Sequence, residues 1–110
     1  MRKLSMVLAL AGLAGAMAPG AAMARDYNGA IAYSSATGAH GYSYDYDTRD
    51  GAEQRALNEC AGYGGGCEAA LWFRNACGAL AVGADGWGTG WDINRSGAES
   101  NAIAKCSQFS

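Results

Sequence analysis

The chain is poor in basic residues, and this scarcity excludes several classes of partner. Eight of its 110 residues are Lys or Arg and ten are Asp or Glu, which gives a formal charge of −2 at pH 7. Nucleic-acid binding depends on a basic surface that releases counterions from phosphates. Attachment to an anionic membrane surface needs the same excess of positive charge. The composition therefore predicts no nucleic-acid partner and no binding to an anionic membrane.

Histidine and closely spaced cysteines are also scarce, which argues against a metal or catalytic centre. His40 is the single histidine, and gaps of 6, 9 and 28 residues separate the four cysteines. Zinc sites typically use C-x2-C pairs, redox sites use C-x-x-C, and serine hydrolases often carry G-x-S-x-G. The sequence contains none of these motifs. We predict no metal, no cofactor and no catalytic residue, and we expect that the protein is not an enzyme.

The first 24 residues have the pattern of a secretory signal peptide. Basic residues at positions 2 and 3 precede an apolar run over 4–18, Pro19 ends the run, and A-M-A at 22–24 suits signal peptidase. A transmembrane helix needs about 20 strongly apolar residues, more than this run offers. We expect cleavage after Ala24, which leaves one domain of residues 25–110, secreted or periplasmic and not inserted in a membrane. Loss of the two basic residues changes its formal charge to −4.

Two segments of the expected mature chain share one pattern, which predicts an internal repeat over 27–60 and 76–106. The sequence A-E-x-x-A-[LI]-x-x-C ends at Cys60 and again at Cys106, an offset of 46. G-A-I-A at 29–32 matches G-A-L-A at 78–81, an offset of 49. Because the offset changes by three, we expect one loop to be three residues longer in the first copy.

Each copy predicts a β-hairpin followed by a helix. The first has a short apolar strand at 30–33, a period-2 pattern of Tyr with Ser or Asp at 41–46, and Thr48 as helix N-cap. The second repeats this plan, with Asn94 as N-cap, and an extra apolar strand at 69–74 joins the copies. We predict an α+β domain in which two helices lie on a mainly antiparallel sheet as a single pair of layers.

The motif W-F-R-N-A-C-G-A-L-A-V-G at 72–83, with the two A-E-x-x-A-[LI]-x-x-C helices, resembles a family of small exported bacterial proteins. That family is catalogued as a domain of unknown function. The resemblance covers residues 27 to 106 and implies export and paired cysteines, but no activity. Such domains often continue past the last helix into another strand, whereas this chain stops at Ser110. We therefore expect an open sheet edge beside the second copy.

Four cysteines in a short exported chain predict two structural disulfides. Each would stabilise the fold by about 2 to 4 kcal/mol. Four cysteines allow three pairings, of which the repeat favours Cys60–Cys67 and Cys77–Cys106.

Aromatic side chains on two predicted strands are the candidates for a binding surface. Tyr42, Tyr44 and Tyr46 share one strand face, and Trp87 and Trp91 share another, because side chains alternate along a strand. Aligned at an offset of 46, Tyr42 and Tyr44 of the first stripe match glycines of the second strand, so the two stripes lie on opposite faces of their strands. If both helices cover the same sheet face, one stripe should therefore point away from the helices. Exposed rows of Tyr and Trp are common in protein interfaces and sugar-binding surfaces. The alternative is that both stripes are buried because bulges shift the register.

Three functions remain open. The favoured one is a non-enzymatic protein of the cell envelope or extracellular space that binds a protein partner, of the inhibitor or immunity type. The second is a small envelope-glycan hydrolase using His40 with Asp45 or Asp47, or a glycan-binding protein. The third is a structural envelope protein without a specific ligand. The sequence does not predict the oligomeric state.

Overall fold

The computed structural model describes residues 26–109 and, as a strand and its pairing, residues 6–11. The described residues form six strands and two helices, in the order β1 Met6–Ala11, β2 Asn28–Tyr33, β3 His40–Tyr46, α1 Arg49–Ala61, β4 Glu68–Arg74, β5 Cys77–Val82, β6 Trp87–Asp92 and α2 Arg95–Ser107. The predicted signal peptide lies outside the described residues except for β1. Its cleavage stays a prediction.

The strands form two antiparallel sheets of three strands each, in the orders β3-β2-β4 and β1-β5-β6. The predicted α+β class is confirmed, with antiparallel strands, two helices and a disulfide. Unit 1 (β2, β3 and α1) and unit 2 (β5, β6 and α2) have the same plan, and β4 is the predicted extra strand. That the two units arose by duplication stays a prediction.

The expectation of one pair of layers is wrong, because each unit forms its own sheet and the two sheets pack face to face. Ile31 in β2 and Leu80 in β5 are fully buried between the sheets, together with Tyr33 and Phe73. The alanines that alternate with them face the helices instead. A single pair of layers would have left Ile31 and Leu80 in water, so the sheets bury these side chains against each other.

Small side chains fill the contacts between each sheet and its helix. Strand alanines and helix alanines are fully buried there, with one cysteine in each unit. Unit 1 contributes Ala30, Ala32, Ala52, Ala56 and Cys60, and unit 2 contributes Ala79, Ala81, Ala98, Ala102 and Cys106. The helices also approach β3 and β6 closely at glycines. A Cβ at Gly41 would lie 2.5 Å from the Cys60 nitrogen, and one at Gly88 would lie 2.5 Å from the Cys106 nitrogen.

The three extra residues of unit 1 are divided between two places, so the expectation of one longer loop is wrong. Residues 34–39 join β2 to β3, whereas only 83–86 join β5 to β6, a difference of two. The third extra residue belongs to a bulge in β3, where Ser43 pairs with Ala30 and Tyr46 with Asn28. Asp45 in this bulge has φ 65°, a left-handed conformation that Asp tolerates better than most residues. Residues of β2 therefore correspond to those of β5 at an offset of 49, residues of β3 before the bulge to those of β6 at 47, and helix residues at 46.

One of the two predicted disulfides is present. Cys60 and Cys67 are bonded, whereas Cys77 and Cys106 are buried free thiols in the described part of the chain. Cys77 starts β5, while Cys106 lies over Gly88, which pairs with Ala81. Four residues of strand separate Cys77 from Ala81, about 13 Å. Because a disulfide needs Cα atoms within about 7 Å, the predicted Cys77–Cys106 bond is wrong in this structure.

Candidate functional site

The structure does not hold the three predicted tyrosines on one face. Tyr42 and Tyr44 are stacked, with ring centroids 6.5 Å apart and an interplanar angle of 17°. Tyr42 packs against the core between the sheets, and Tyr44 is 48% exposed. Tyr46 packs instead against the core under α1. The bulge at Asp45 places Tyr46 on the other face, because one extra residue reverses the alternation of a strand.

Trp87 and Trp91 also have different environments. Trp87 is half-buried and packs on Tyr33, with ring centroids 5.2 Å apart. Trp91, near the other end of β6, is 57% exposed. The expected opposite parity of the two stripes is wrong: at the true offset of 47, Tyr42 corresponds to Thr89. Apart from Tyr46, the residues of both stripes lie on the sheet face opposite their own helix, because each unit carries its own sheet.

A cleft of about 650 Å³ opens at the β5–β6 turn and contains Trp87. We call it the Trp87 cleft. Aromatic rings and charged side chains of both signs line it, namely Tyr33, Asp85, Trp87, Lys105 and Phe109. Small-molecule and side-chain pockets are commonly about 300 to 1,000 Å³, largely apolar, with a few placed polar groups. The cleft has the size and composition of a binding pocket.

Local structure fixes the walls of the Trp87 cleft. The Gly83 nitrogen donates to the Gly86 oxygen at 2.8 Å and closes the turn between β5 and β6. Phe109 follows α2, and its backbone nitrogen donates to the Cys106 oxygen at 3.0 Å. The Phe109 side chain lies against Gly86, where a Cβ would stand 3.1 Å from the ring Cγ. A residue larger than glycine at position 86 would displace this wall of the cleft.

Tyr33 is the most enclosed ring of the Trp87 cleft, at 6% exposure. Burial raises the pKa of its hydroxyl above the ordinary value of 10.0, and the nearby Cys106 thiol raises it further. At neutral pH the hydroxyl is therefore protonated, able to donate a hydrogen bond and to accept one.

Unit 1 has a cleft of about 430 Å³ at the corresponding place, which we call the His40 cleft. His40 corresponds to Trp87, Glu59 to Lys105 and Tyr63 to Phe109. The Glu59 Oε1 accepts a hydrogen bond from the Tyr42 nitrogen at 2.9 Å. The His40 Nδ1 is buried and has no hydrogen-bond partner among the described residues. The two corresponding clefts therefore differ in chemistry. The His40 cleft has an imidazole and a carboxylate, whereas the Trp87 cleft has an indole and an ammonium group.

The residues proposed for glycan hydrolysis do not come together. His40 starts β3, whereas Asp45 and Asp47 lie at its far end. Five residues of strand span about 17 Å, beyond the reach of a direct proton transfer. The predicted pairing of His40 with Asp45 or Asp47 is wrong. Within residues 26–109, no group of three His, Cys, Asp or Glu side chains could hold a metal ion. Neither helix of that range is long and apolar enough to span a membrane.

Of the residues that line the Trp87 cleft, only Trp87 was a sequence candidate. The aromatic and charged side chains that the sequence analysis missed are Tyr33, Asp85, Lys105 and Phe109. The internal repeat gave a signal for Lys105 and Phe109. At the offset of 46 they correspond to Glu59 and Tyr63 of the first copy. Tyr33 ends an apolar strand, and the sequence has no feature that separates it from the core.

The comparisons with known proteins place the chain in a family without a known activity. No curated protein and no solved structure shows a significant match. Residues 28–110, most of the chain, match the family described as a domain of unknown function, DUF4189. This match confirms the resemblance to a family of unknown function, and the chain belongs to the DUF4189 family.

Proposed function

We propose that this chain is an exported, non-enzymatic protein that binds a protein partner in the cell envelope or outside the cell. We propose further that it is of the inhibitor or immunity type and that the Trp87 cleft receives an apolar side chain of the partner. The observation that carries this proposal is a cleft with three aromatic side chains in its walls and charges of both signs. Aromatic and charged groups around a pocket are typical of residues that dominate the affinity of protein interfaces.

Export is supported by two features. Residues 1–24 have the basic, apolar and small-residue pattern of a signal peptide. The Cys60–Cys67 disulfide is typical of oxidising compartments such as a periplasm or the extracellular space. A disulfide also suits a domain of this size, since short domains commonly depend on disulfides for stability.

The walls of the Trp87 cleft suit an apolar anchor. The rings of Trp87 and Tyr33 pack at 56° to each other, which limits the motion of both. Phe109 is 58% exposed and forms the outer wall. Transfer of an apolar side chain from water into such a cleft is favourable by about 25 cal/mol per Å² of apolar surface removed. Asp85 and Lys105 place one negative and one positive charge at the cleft. These charges favour partners that carry the opposite charges next to the apolar side chain that enters the cleft.

Glycan binding is a second candidate, and a separate observation favours it. The hydroxyl groups of Tyr33, Ser35 and Thr89 line the same cleft beside the indole of Trp87. Sugar rings commonly pack on aromatic faces while hydroxyl and carboxylate groups bind their edges.

Photo-crosslinking from inside the cleft tests the proposal. A photoreactive phenylalanine analogue replaces Phe109 in the exported protein, and the matched control carries it at Tyr63, the corresponding position of the His40 cleft, which is 74% exposed. We expect one protein to be linked from position 109 and not from 63, and Lys105→Glu to reduce the yield by about tenfold. Equal yields from both positions would contradict the proposed site. Binding of envelope glycan fragments without a protein adduct would establish the second candidate.

A further inference from the structure

We infer that the side of β5 occupied by β1 is an acceptor for an extended strand of a partner polypeptide once residues 1–24 have been removed. The inference rests on the proposed export, because β1 lies within the segment that signal peptidase would remove. It concerns a different surface from the Trp87 cleft. It also names the class of partner: an apolar segment that binds by adding a strand to a sheet edge.

The two sheets are built alike, and this comparison identifies the acceptor. In the first sheet β2 lies between β3 and β4, and in the second β5 lies between β6 and β1. β4 follows the helix of unit 1 directly in the chain, whereas β1 comes from the N-terminal segment. Both outer strands run antiparallel to the central strand they border. β1 therefore takes the place beside β5 that β4 takes beside β2.

The registers of β1 and β4 agree. Ile31 pairs with Leu71, and its counterpart Leu80 pairs with Leu8. Two residues further along, large apolar residues stand opposite glycines in both sheets, as the pairs Gly29 with Phe73 and Gly78 with Leu10. Two outer strands from unrelated parts of the chain thus place large apolar residues opposite the same two positions of the central strand.

Removal of residues 1–24 leaves the acceptor uncovered. Cys77 to Val82 pair with Ala11 to Met6 along the whole length of β5. Without β1, the backbone N–H and C=O groups on that side of β5 have no partner strand. The side chains of β5 are all apolar. An apolar edge of this length pairs readily with another chain unless it is covered.

The neighbours of β5 define the segment that fits. Ala79 and Ala81 pack against the alanines of α2, and α2 also contacts β1. The β1 residues opposite these two alanines are alanine and valine, so we expect side chains no larger than valine at these positions of the partner. At the positions opposite Leu80 and Gly78 the register places leucines, Leu8 and Leu10. The partner segment is therefore about six residues long, antiparallel, free of proline, and alternates large with small apolar residues.

A single strand fits this place better than the β5 edge of a second copy. Each β5 carries α2 on one face and the sheet of unit 1 on the other. The occupant seen beside β5 is one strand, β1, whose register resembles that of β4 beside β2. A homodimer through β5 is accordingly an outcome that contradicts the inference.

The experiment uses the protein exported and processed by the cell. Mass spectrometry first defines its N-terminus, and the probe is a labelled peptide with the sequence Val-Leu-Ala-Leu-Ala between solubilising lysines. We expect saturable binding and slower amide hydrogen exchange in β5. Successive residues of a strand direct their N–H groups to opposite sides, so a control peptide with proline at both its second and third positions lacks at least one ladder hydrogen bond. It should bind about tenfold more weakly or not at all.

Each other outcome overturns the inference. An uncleaved N-terminus means that β1 still fills the edge. Absence of peptide binding, or equal binding of the proline peptide, means that β5 accepts no strand. Protection of β5 in a dimer, measured by sedimentation together with hydrogen exchange, means that a second copy covers it. The crosslinking result at Phe109 is independent of the peptide result, so failure of this inference is distinguishable from failure of the proposed binding function.

Discussion

Gly78 in one sheet leaves the space that the ring of Phe73 fills from the other. A Cβ at Gly78 would lie 2.5 Å from the Cδ1 of Phe73, and a Cβ at Gly29 would lie 2.5 Å from the Cζ of the same ring. Phe73 is only 2% exposed. Two glycines at corresponding positions of the two central strands thus receive one phenylalanine, which holds the two sheets together.

Gly78→Ala should therefore destabilise the protein. The added methyl group has no room beside Phe73, and overpacking of this kind typically costs about 1 to 3 kcal/mol. The free energy of unfolding in urea measures the effect. Gly65→Ala is the matched control, because a Cβ at Gly65 meets no atom within 4 Å. Equal stability of the two variants would show that the Phe73 ring is free to move aside.

The state of the cysteines predicts a thiol count. Cys60–Cys67 is bonded, and Cys77 and Cys106 are free and buried. The folded protein should react slowly with a thiol reagent, and the unfolded protein without reductant should expose two thiols per chain. A count of zero would establish the second disulfide that the sequence predicted and would require a rearrangement of β5 against α2.

The N-caps of α1 and α2 differ in their hydrogen bonds, so removing each cap side chain should lower the stability of the protein by a different amount. The Thr48 Oγ1 accepts a hydrogen bond from the Gly51 nitrogen at 3.0 Å, whereas the Asn94 side chain makes no such cap bond with the described backbone of α2. Thr48→Ala should cost about 1 kcal/mol. Asn94→Ala should cost less, and the two variants serve as controls for each other in thermal or urea unfolding. A larger loss for Asn94→Ala would contradict the cap geometry.

Tyr33 predicts a loss of stability in alkali. Its folded-state pKa is raised above the ordinary 10.0 by burial and by Cys106. Since the protonated hydroxyl is favoured in the folded state, the stabilisation is complete below the unfolded pKa and is lost as the pH rises through the folded pKa. Urea midpoints measured on both sides of pH 10 should show this loss for the wild type, and a smaller one for Tyr33→Phe. The same slope in both proteins would assign the alkaline loss to other groups.

Several features of the fold could be predicted because they depend on local patterns. The alternation in β3, the cap at Thr48 and the Ala-to-Cys60 stripe of α1 follow from period 2, side-chain chemistry and period 3.6. The two-sheet arrangement was missed, although one signal was present. Ile31 and Leu80 alternate with alanines, and both faces of such a strand need cover.

The site was harder to predict, because long-range packing assembles it. Tyr33 and Trp87 meet only because two separate sheets face each other. The bulge at Asp45 could not be located from the sequence, because Asp is also common in the turns and helix caps that follow a strand. Its effect is large, because it places Tyr46 on the other face from Tyr42 and changes the offset between the units.

The alanine contacts under both helices have a consequence for how this protein tolerates change. Alanine has no side-chain rotamers, so each buried alanine is ordered without loss of side-chain entropy, but none can reorient to admit a larger neighbour. The contact between helix and sheet is therefore rigid and intolerant of substitution. Gly41 and Gly88 belong to this contact, whereas the neighbouring side chains of His40 and Trp87 lie outside it. The alanine contacts therefore restrict substitution, whereas positions 40 and 87 already carry different side chains in the two units.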